Sequence, residues 1–236
     1  ILQANLRVRF SEEDFSIEGN SYAKGTLIIL RSDNKTNPEF DKQVTSIANK
    51  NSRILNSVQT GFVSSGKDFG SSSVRPINKQ KVAVISGKGT SSLSFGEIWH
   101  FFDTQLQYPL TAIDTEYFNR VDLHTYDVLI IPNGYYSSIL NKKGLEKISE
   151  FSKVGGTVIA IGSALRSFAD KDGFELKIKK ISASDKEKNN TNLMAYAGKE
   201  RARANSAIRG AIFKSKVDST HPLAFGYENS YFSLKL

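Results

Sequence analysis

Lys81-Val82-Ala83-Val84-Ile85, Tyr126-Asp127-Val128-Leu129-Ile130-Ile131-Pro132 and Thr157-Val158-Ile159-Ala160-Ile161 are the stretches that decide the fold. Each is a short apolar run rich in β-branched residues with no polar alternation through its centre, the pattern of a strand covered on both faces. Between the first two, Phe95, Ile98, Trp99, Phe102 and Leu106 recur at helical spacing and stop before Pro109. Between the last two, Leu145, Ile148 and Phe151 do the same and stop at Gly155-Gly156. A short run at 110–113 supplies one more strand. Strands alternating with amphipathic helices predict a parallel sheet with helices on both faces, because parallel strands need a crossover that the helix provides.

Outward from this centre, the N-terminal side has a different texture. Leu6, Val8 and Phe10 alternate with Arg7 and Arg9, and Phe15 and Ile17 follow, which predicts half-exposed strands. Residues 25–31, Gly-Thr-Leu-Ile-Ile-Leu-Arg, predict a buried strand; Phe40, Val44, Ile47 and Ala48 predict a helix; residues 53–58 again read as a strand. Residues 1–63 are thus expected to form a small α/β unit. The Gly- and Ser-rich run 64–73, ending near Pro76, is the best linker candidate, which puts a domain boundary near 78. The second domain, 79–236, reads as a flavodoxin-like doubly wound sheet. It is interrupted by a polar, Lys/Asn-rich excursion at 170–206 and resumes at Ile208 with short strands at 211–213 and 231–234 around His221-Pro222-Leu223-Ala224-Phe225-Gly226.

The 236 residues contain no cysteine, which excludes disulfides, thiolate metal ligands and cysteine nucleophiles. No apolar run approaches the roughly 20 residues of a membrane span, so no membrane partner is expected. Ile1 opens the chain without a signal-like segment, and the immediate strand pattern predicts a boundary inside a longer polypeptide. The net charge of +8 is local: residues 166–216 hold 13 Lys/Arg against 6 Asp/Glu, leaving 19 against 18 elsewhere. Lys177, Lys179, Lys180, Lys186, Lys188, Lys199, Arg201, Arg203 and Arg209 carry most of it, with acids interspersed and, between 170 and 206, only Phe174 and Tyr196 as aromatics. Nucleic-acid binders interleave base-stacking aromatics with their cations, so this segment reads as a solvated face and no nucleic-acid partner is expected.

Candidate chemistry is sparse. Ser163 follows a strand at a tight turn, where an α/β-hydrolase exposes its nucleophile, but Ile161-Gly162-Ser163-Ala164-Leu165 lacks the second glycine of Gly-x-Ser-x-Gly. The expectation is a structural turn whose hydroxyl caps the following helix. His221 is a possible base for it, with Asp127, Asp170 or Glu175 as an orienting carboxylate. His100 and His124 read as surface residues, and none of the three histidines begins a His-x-x-Glu spacing, so no zinc site or other cofactor is expected in this chain. Gly87-Lys88-Gly89-Thr90 stands where doubly wound proteins cradle phosphate, but Ser92 replaces the third glycine of the dinucleotide fingerprint, and a plain loop is expected. Asn133-Gly134-Tyr135-Tyr136 is the loop after the central strand.

The order of the strand at 81–85, the strand at 126–132 and Gly155-Gly156-Thr157-Val158-Ile159-Ala160-Ile161-Gly162-Ser163 resembles the class I glutamine amidotransferase-like fold. The blocks at 25–30, 61–70, 126–136 and 221–227 resemble the region that follows the zinc carboxypeptidase domain in large secreted bacterial peptidases of the carboxypeptidase A type. Working amidotransferases carry cysteine at the elbow and histidine-proline-glutamate as its complement; here Ser163 and Leu223 stand in those places, so glutamine hydrolysis is not expected. The resemblance implies a non-catalytic accessory domain. Its partner would be an upstream peptidase domain of the same polypeptide, holding the zinc, with peptide as a further candidate partner and an extracellular or periplasmic location. The alternatives are a free-standing serine hydrolase using Ser163 and His221, or a small-ligand or polyanion-binding module.

Overall fold

The computed structural model describes residues 1–178, 195–206 and 210–235. In chain order the first strands are β1 (Val8–Ser11), β2 (Phe15–Ile17), β3 (Asn20–Tyr22) and β4 (Leu27–Ile28), followed by helix α1 (Phe40–Lys50) and β5 (Val74–Ile77). Then come β6 (Val82–Ser86), α2 (Ser92–His100), β7 (Leu110–Asp114), β8 (Val128–Ile131), α3 (Lys142–Lys153) and β9 (Thr157–Ala160). The chain closes with α4 (Tyr196–Ser206), β10 (Ala211–Lys216) and β11 (Ser230–Lys235). Two compact units result: Ile1–Lys79 with Thr191–Leu236, and Gln80–Asn190.

The second unit is a four-stranded parallel sheet flanked by helices, in the order β7-β6-β8-β9. Val82 of β6 stands opposite Leu110 of β7 and Val128 of β8, and Val128 opposite Thr157 of β9. Side chains alternate across the sheet, so Ala83, Ile85, Leu129 and Ile131 share a face and bury against Ile148 and Phe151 of α3 with Phe118 and Tyr136. The opposite face, Val82, Val84 and Ile130, packs on Phe95, Ile98 and Phe102. The helical stripe from 95 to 106 is observed in two pieces: α2 runs into a π-helix at Phe101–Leu106, ended by Gln107 in the left-handed region. Both helices are capped as their sequences direct. Ser91 Oγ accepts from Ser94 N–H at 3.4 Å, and Asn141 Oδ1 accepts from Gly144 N–H at 3.2 Å. The covering of the α2 face is incomplete: Ile159, level with Ile130, is 44% exposed.

The other unit is built on antiparallel pairing. β1 lies between β4 and β5. Pro76 is opposite Arg9, whose main chain faces β4 in this ladder, so the missing proline N–H costs no bond. β2 and β3 form a hairpin, as do β10 and β11.

Four expectations need correction here. The proposed linker at 64–73, with the residues that follow it to 77, is part of the fold: Phe69 and Val74 are buried and β5 pairs with β1, the glycines and serines forming turns before it. Residues 25–31 give only the two-residue edge strand β4, because the chain turns at Ser32–Asn34 as soon as Leu30 is passed. Residues 53–58 form no strand; their apolar residues face a cleft instead of a ladder. The C-terminal strands do not extend the parallel sheet. Ala211 to Lys216 pair with Ser230 to Lys235, and they group with residues 1–79, where Phe225 meets the Phe10 ring edge-on at 6.3 Å and takes Lys24 over its face at 5.8 Å. Of the basic segment 166–216, residues 179–194 and 207–209 lie outside the described residues, and α4 occupies 196–206.

Candidate functional site

Parallel strands deliver their following loops to one edge of the sheet, and ligands of such folds lodge where successive connections leave in opposite directions. That point lies between β6 and β8, since β7 flanks β6 on one side and β8 on the other. The loops gathered there are 87–91 after β6 and 133–136 after β8, with Asp114 at the end of β7 and Ser163 after β9.

These loops bond to each other. Tyr135 N–H donates to Gly89 O at 2.8 Å, and Ser91 N–H donates to Asn133 O at 2.9 Å. Asn133 N–H donates to Ser94 Oγ at 3.1 Å. Thr90 N–H closes its own turn on Gly87 O at 3.1 Å. The amides of Thr90 and Ser91, two of those that would cradle a phosphate, are therefore committed to protein carbonyls. Beneath them the Tyr136 ring is fully buried and its hydroxyl donates to Pro132 O at 3.0 Å. Burial pushes this phenol above its ordinary value, with the Thr90 side chain pulling the other way.

Ser163 enters this cluster through a sharp turn. Gly162 has φ +61°, and a Cβ there would lie 2.7 Å from Asn133 Oδ1, so glycine is required both for the left-handed backbone and for the close approach. Ser163 N–H donates to Asn133 Oδ1 at 2.9 Å, and the hydroxyl is shared between Asn133 Oδ1 and Gly134 O, the latter at 3.3 Å. The hydroxyl thus holds the neighbouring loop and does not cap its own helix, whose first turn begins at Gly162 with Ile161 as an uncapped start. An amide oxygen and a peptide carbonyl cannot take up a proton at neutral pH, so neither partner activates the serine.

None of the proposed helpers is a hydrogen-bond partner of Ser163 among the described residues. His221 belongs to the other unit and starts the short 3-10 turn Pro222–Ala224, its Nδ1 accepting from Leu223 N–H at 3.2 Å. Asp127 accepts from Lys81 N–H at 2.6 Å at the start of β8, the opposite end of the sheet from Ser163, and cannot orient a base there. Asp170 lies in a left-handed turn with its N–H on Leu176 O, and Glu175 is exposed in the same turn region. His100 ends α2 and His124 lies in the 3-10 turn before β8, both exposed. Among the described residues no group of three or more histidines and carboxylates is arranged to hold a metal ion.

Sequence reasoning passed over two residues here. Asn133 is the acceptor that fixes the elbow, and Pro-Asn-Gly at the end of an apolar strand was its only local signal. Asp114 lies so near Gly87 that a side chain there would meet its carboxylate at 2.5 Å. Among the described residues no helix is long and apolar enough to cross a membrane. Comparison with protein-family models, with curated proteins and with solved structures finds no match to this chain.

Proposed function

We propose that this chain is a non-catalytic accessory region of a larger exported zinc carboxypeptidase, with a flavodoxin-like core of the class I glutamine amidotransferase kind. The strand order β7-β6-β8-β9 supports the core assignment, since it matches the first four strands of the flavodoxin-like order. The resemblance of the blocks at 25–30, 61–70, 126–136 and 221–227 supports the parentage. The observation that carries the non-catalytic reading is the engagement of the Ser163 hydroxyl by Asn133 and Gly134, where a nucleophile needs a base. The described histidines do not fit a zinc site: His100 ends α2, His124 is the middle residue of the 3-10 turn Leu123–Thr125, and the His221 ring accepts from the nearby Leu223 N–H. Zinc and its ligands in this reading belong to sequence upstream of Ile1, and the present chain packs beside that domain or presents its peptide.

The test compares the whole natural polypeptide with this chain alone on C-terminally blocked and free peptides, activated esters and glutamine. The whole protein is expected to release C-terminal residues and to lose that activity to a zinc chelator, and the chain alone is expected to be inert. Turnover by the chain alone that disappears in Ser163→Ala would establish the serine hydrolase. A whole protein without chelator-sensitive peptidase activity would remove the parentage.

A further inference from the structure

Within the unit built from residues 1–79 lies a cleft of 490 Å³, inside the range of ordinary ligand sites. Phe15, Ile17 and Phe69 line it, with Phe40 and Val44 of α1. Phe15 stacks on Tyr22 at 5.0 Å and meets Phe69 edge-on at 5.5 Å, so this part of the lining is a fixed aromatic cluster. The Tyr22 hydroxyl at the edge of this cluster is buried and lacks a hydrogen-bond partner among the described residues.

Two runs of main chain also line the cleft, 26–32 and 54–61, and both carry unspent hydrogen-bonding groups. Among the described residues β4 is an edge strand, paired to β1 alone. In that ladder Ser11 N–H donates to Thr26 O at 3.1 Å and Arg9 stands opposite Ile28, so by the alternation of an antiparallel pair the amide and carbonyl of Leu27 face away from β1. Among the described residues the amides of 54–58 donate to nothing. A slot with an aromatic wall bordered by an open strand edge is an arrangement that takes up a peptide by strand addition, main-chain bonds giving affinity and pockets for alternate side chains giving selectivity.

Charge narrows the occupant. The only ionic side chains on the lining are Arg31 and Asp41, paired with each other at 2.7 Å. A charged side chain entering the cleft would find no free counter-charge there and would lose its hydration.

We propose that this cleft binds an extended peptide segment with uncharged, alternately apolar side chains, which adds as a fourth strand to the free edge of β4. The site is independent of the parentage proposed above, because it rests on β4 and the cleft alone.

Fluorescence anisotropy of the intact chain with a fluorescein-labelled heptapeptide of alternating valine and threonine tests it. Saturable binding of one peptide per chain is expected. Methylating the edge-facing amide nitrogens of the peptide is expected to weaken binding at least tenfold, and so is replacing its central valine by lysine. Leu27→Pro, which removes an edge amide that the β1 ladder does not use, is expected to weaken the unmodified peptide by a similar factor with an unchanged circular dichroism spectrum. Should that variant misfold, the methylated peptide on the native chain still decides. Absence of saturable binding overturns the proposal. Equal affinity for the methylated peptide also overturns it, and would mark the cleft as one that reads apolar groups without strand addition.

Discussion

β6 and β10 are both short strands with apolar cores, Val-Ala-Val-Ile in one and Ala-Ile-Phe in the other, yet they end in opposite environments. Val82, Ala83, Val84 and Ile85 are all buried, whereas Ile212 is 70% and Phe213 44% exposed. β6 has a strand on each side and a helix against each face, so every apolar side chain finds a partner surface. Among the described residues β10 pairs only with β11. A two-stranded ribbon has two faces and no second layer, and it cannot dry its side chains by itself. Apolar composition makes a strand, and layer count decides whether the strand contributes to stability.

The sharpest break of that contrast is a pair of truncations. Phe151→Ala empties a fully buried site beneath the parallel sheet and is expected to cost about 3 to 5 kcal/mol. Phe213→Ala on β10 is expected to cost less than about 1.5 kcal/mol, since much of the ring is already in water. Urea denaturation of both variants checks this, and equal losses would show that the β10–β11 ribbon is covered in solution.

Smaller effects probe the elbow at the end of β9. Asn133→Ala leaves the Ser163 amide and hydroxyl without their shared acceptor and is expected to cost about 1 to 3 kcal/mol by the same measurement. Ser163→Ala removes one donor only, and about 0.5 to 1.5 kcal/mol is expected. If the serine variant proves the more damaging of the two, the acceptor role assigned to Asn133 is wrong.

In the antiparallel unit the corresponding anchor is ionic. Arg9 Nε donates to Asp33 Oδ2 at 2.7 Å, and a second bond at 3.0 Å makes the pair two-pronged. The hydrogen bond from Arg9 holds the Asp33 carboxyl below its ordinary value, against the opposing effect of burial. A lowered folded-state pKa stabilises the fold above the unfolded value and is lost as pH falls through the folded one. Asp33→Asn is therefore expected to cost about 0.2 to 1 kcal/mol at pH 7, with the gap to the native chain closing below about pH 4. Thermal melts of both proteins between pH 3 and 7 read the difference; a gap independent of pH would assign the loss to packing.

Legibility followed the range of the interactions. The strands at 82–86 and 128–131 and the helices were readable because burial on both faces leaves an uninterrupted apolar run and a helix leaves a 3.6-residue stripe, and the edge strand at 157–160 carries the same kind of run although Ile159 is half in water. The strand assigned to 53–58 failed for a related reason: Ile54, Leu55 and Val58 are apolar, but the surface they serve is a cleft wall, and local pattern does not distinguish the two. At the candidate site, the loops at 87–90 and 133–136 and the Gly162-Ser163 turn were all legible from their glycines. Their mutual bonding was not, because Asn133 and Ser163 lie 30 residues apart.

By itself the sequence determined a cysteine-free α/β chain whose centre is a parallel sheet, since periodicity and composition report how each short segment meets water. Only the tertiary structure decided that Val74 to Ile77 close the sheet begun at Val8, that the C-terminal ribbon groups with the first 79 residues, and that the Ser163 hydroxyl is held by Asn133. Each of these joins residues far apart in the chain. Strand pairing and side-chain bonding at that distance depend on which surfaces remain open once the local elements have packed, and no local pattern records that.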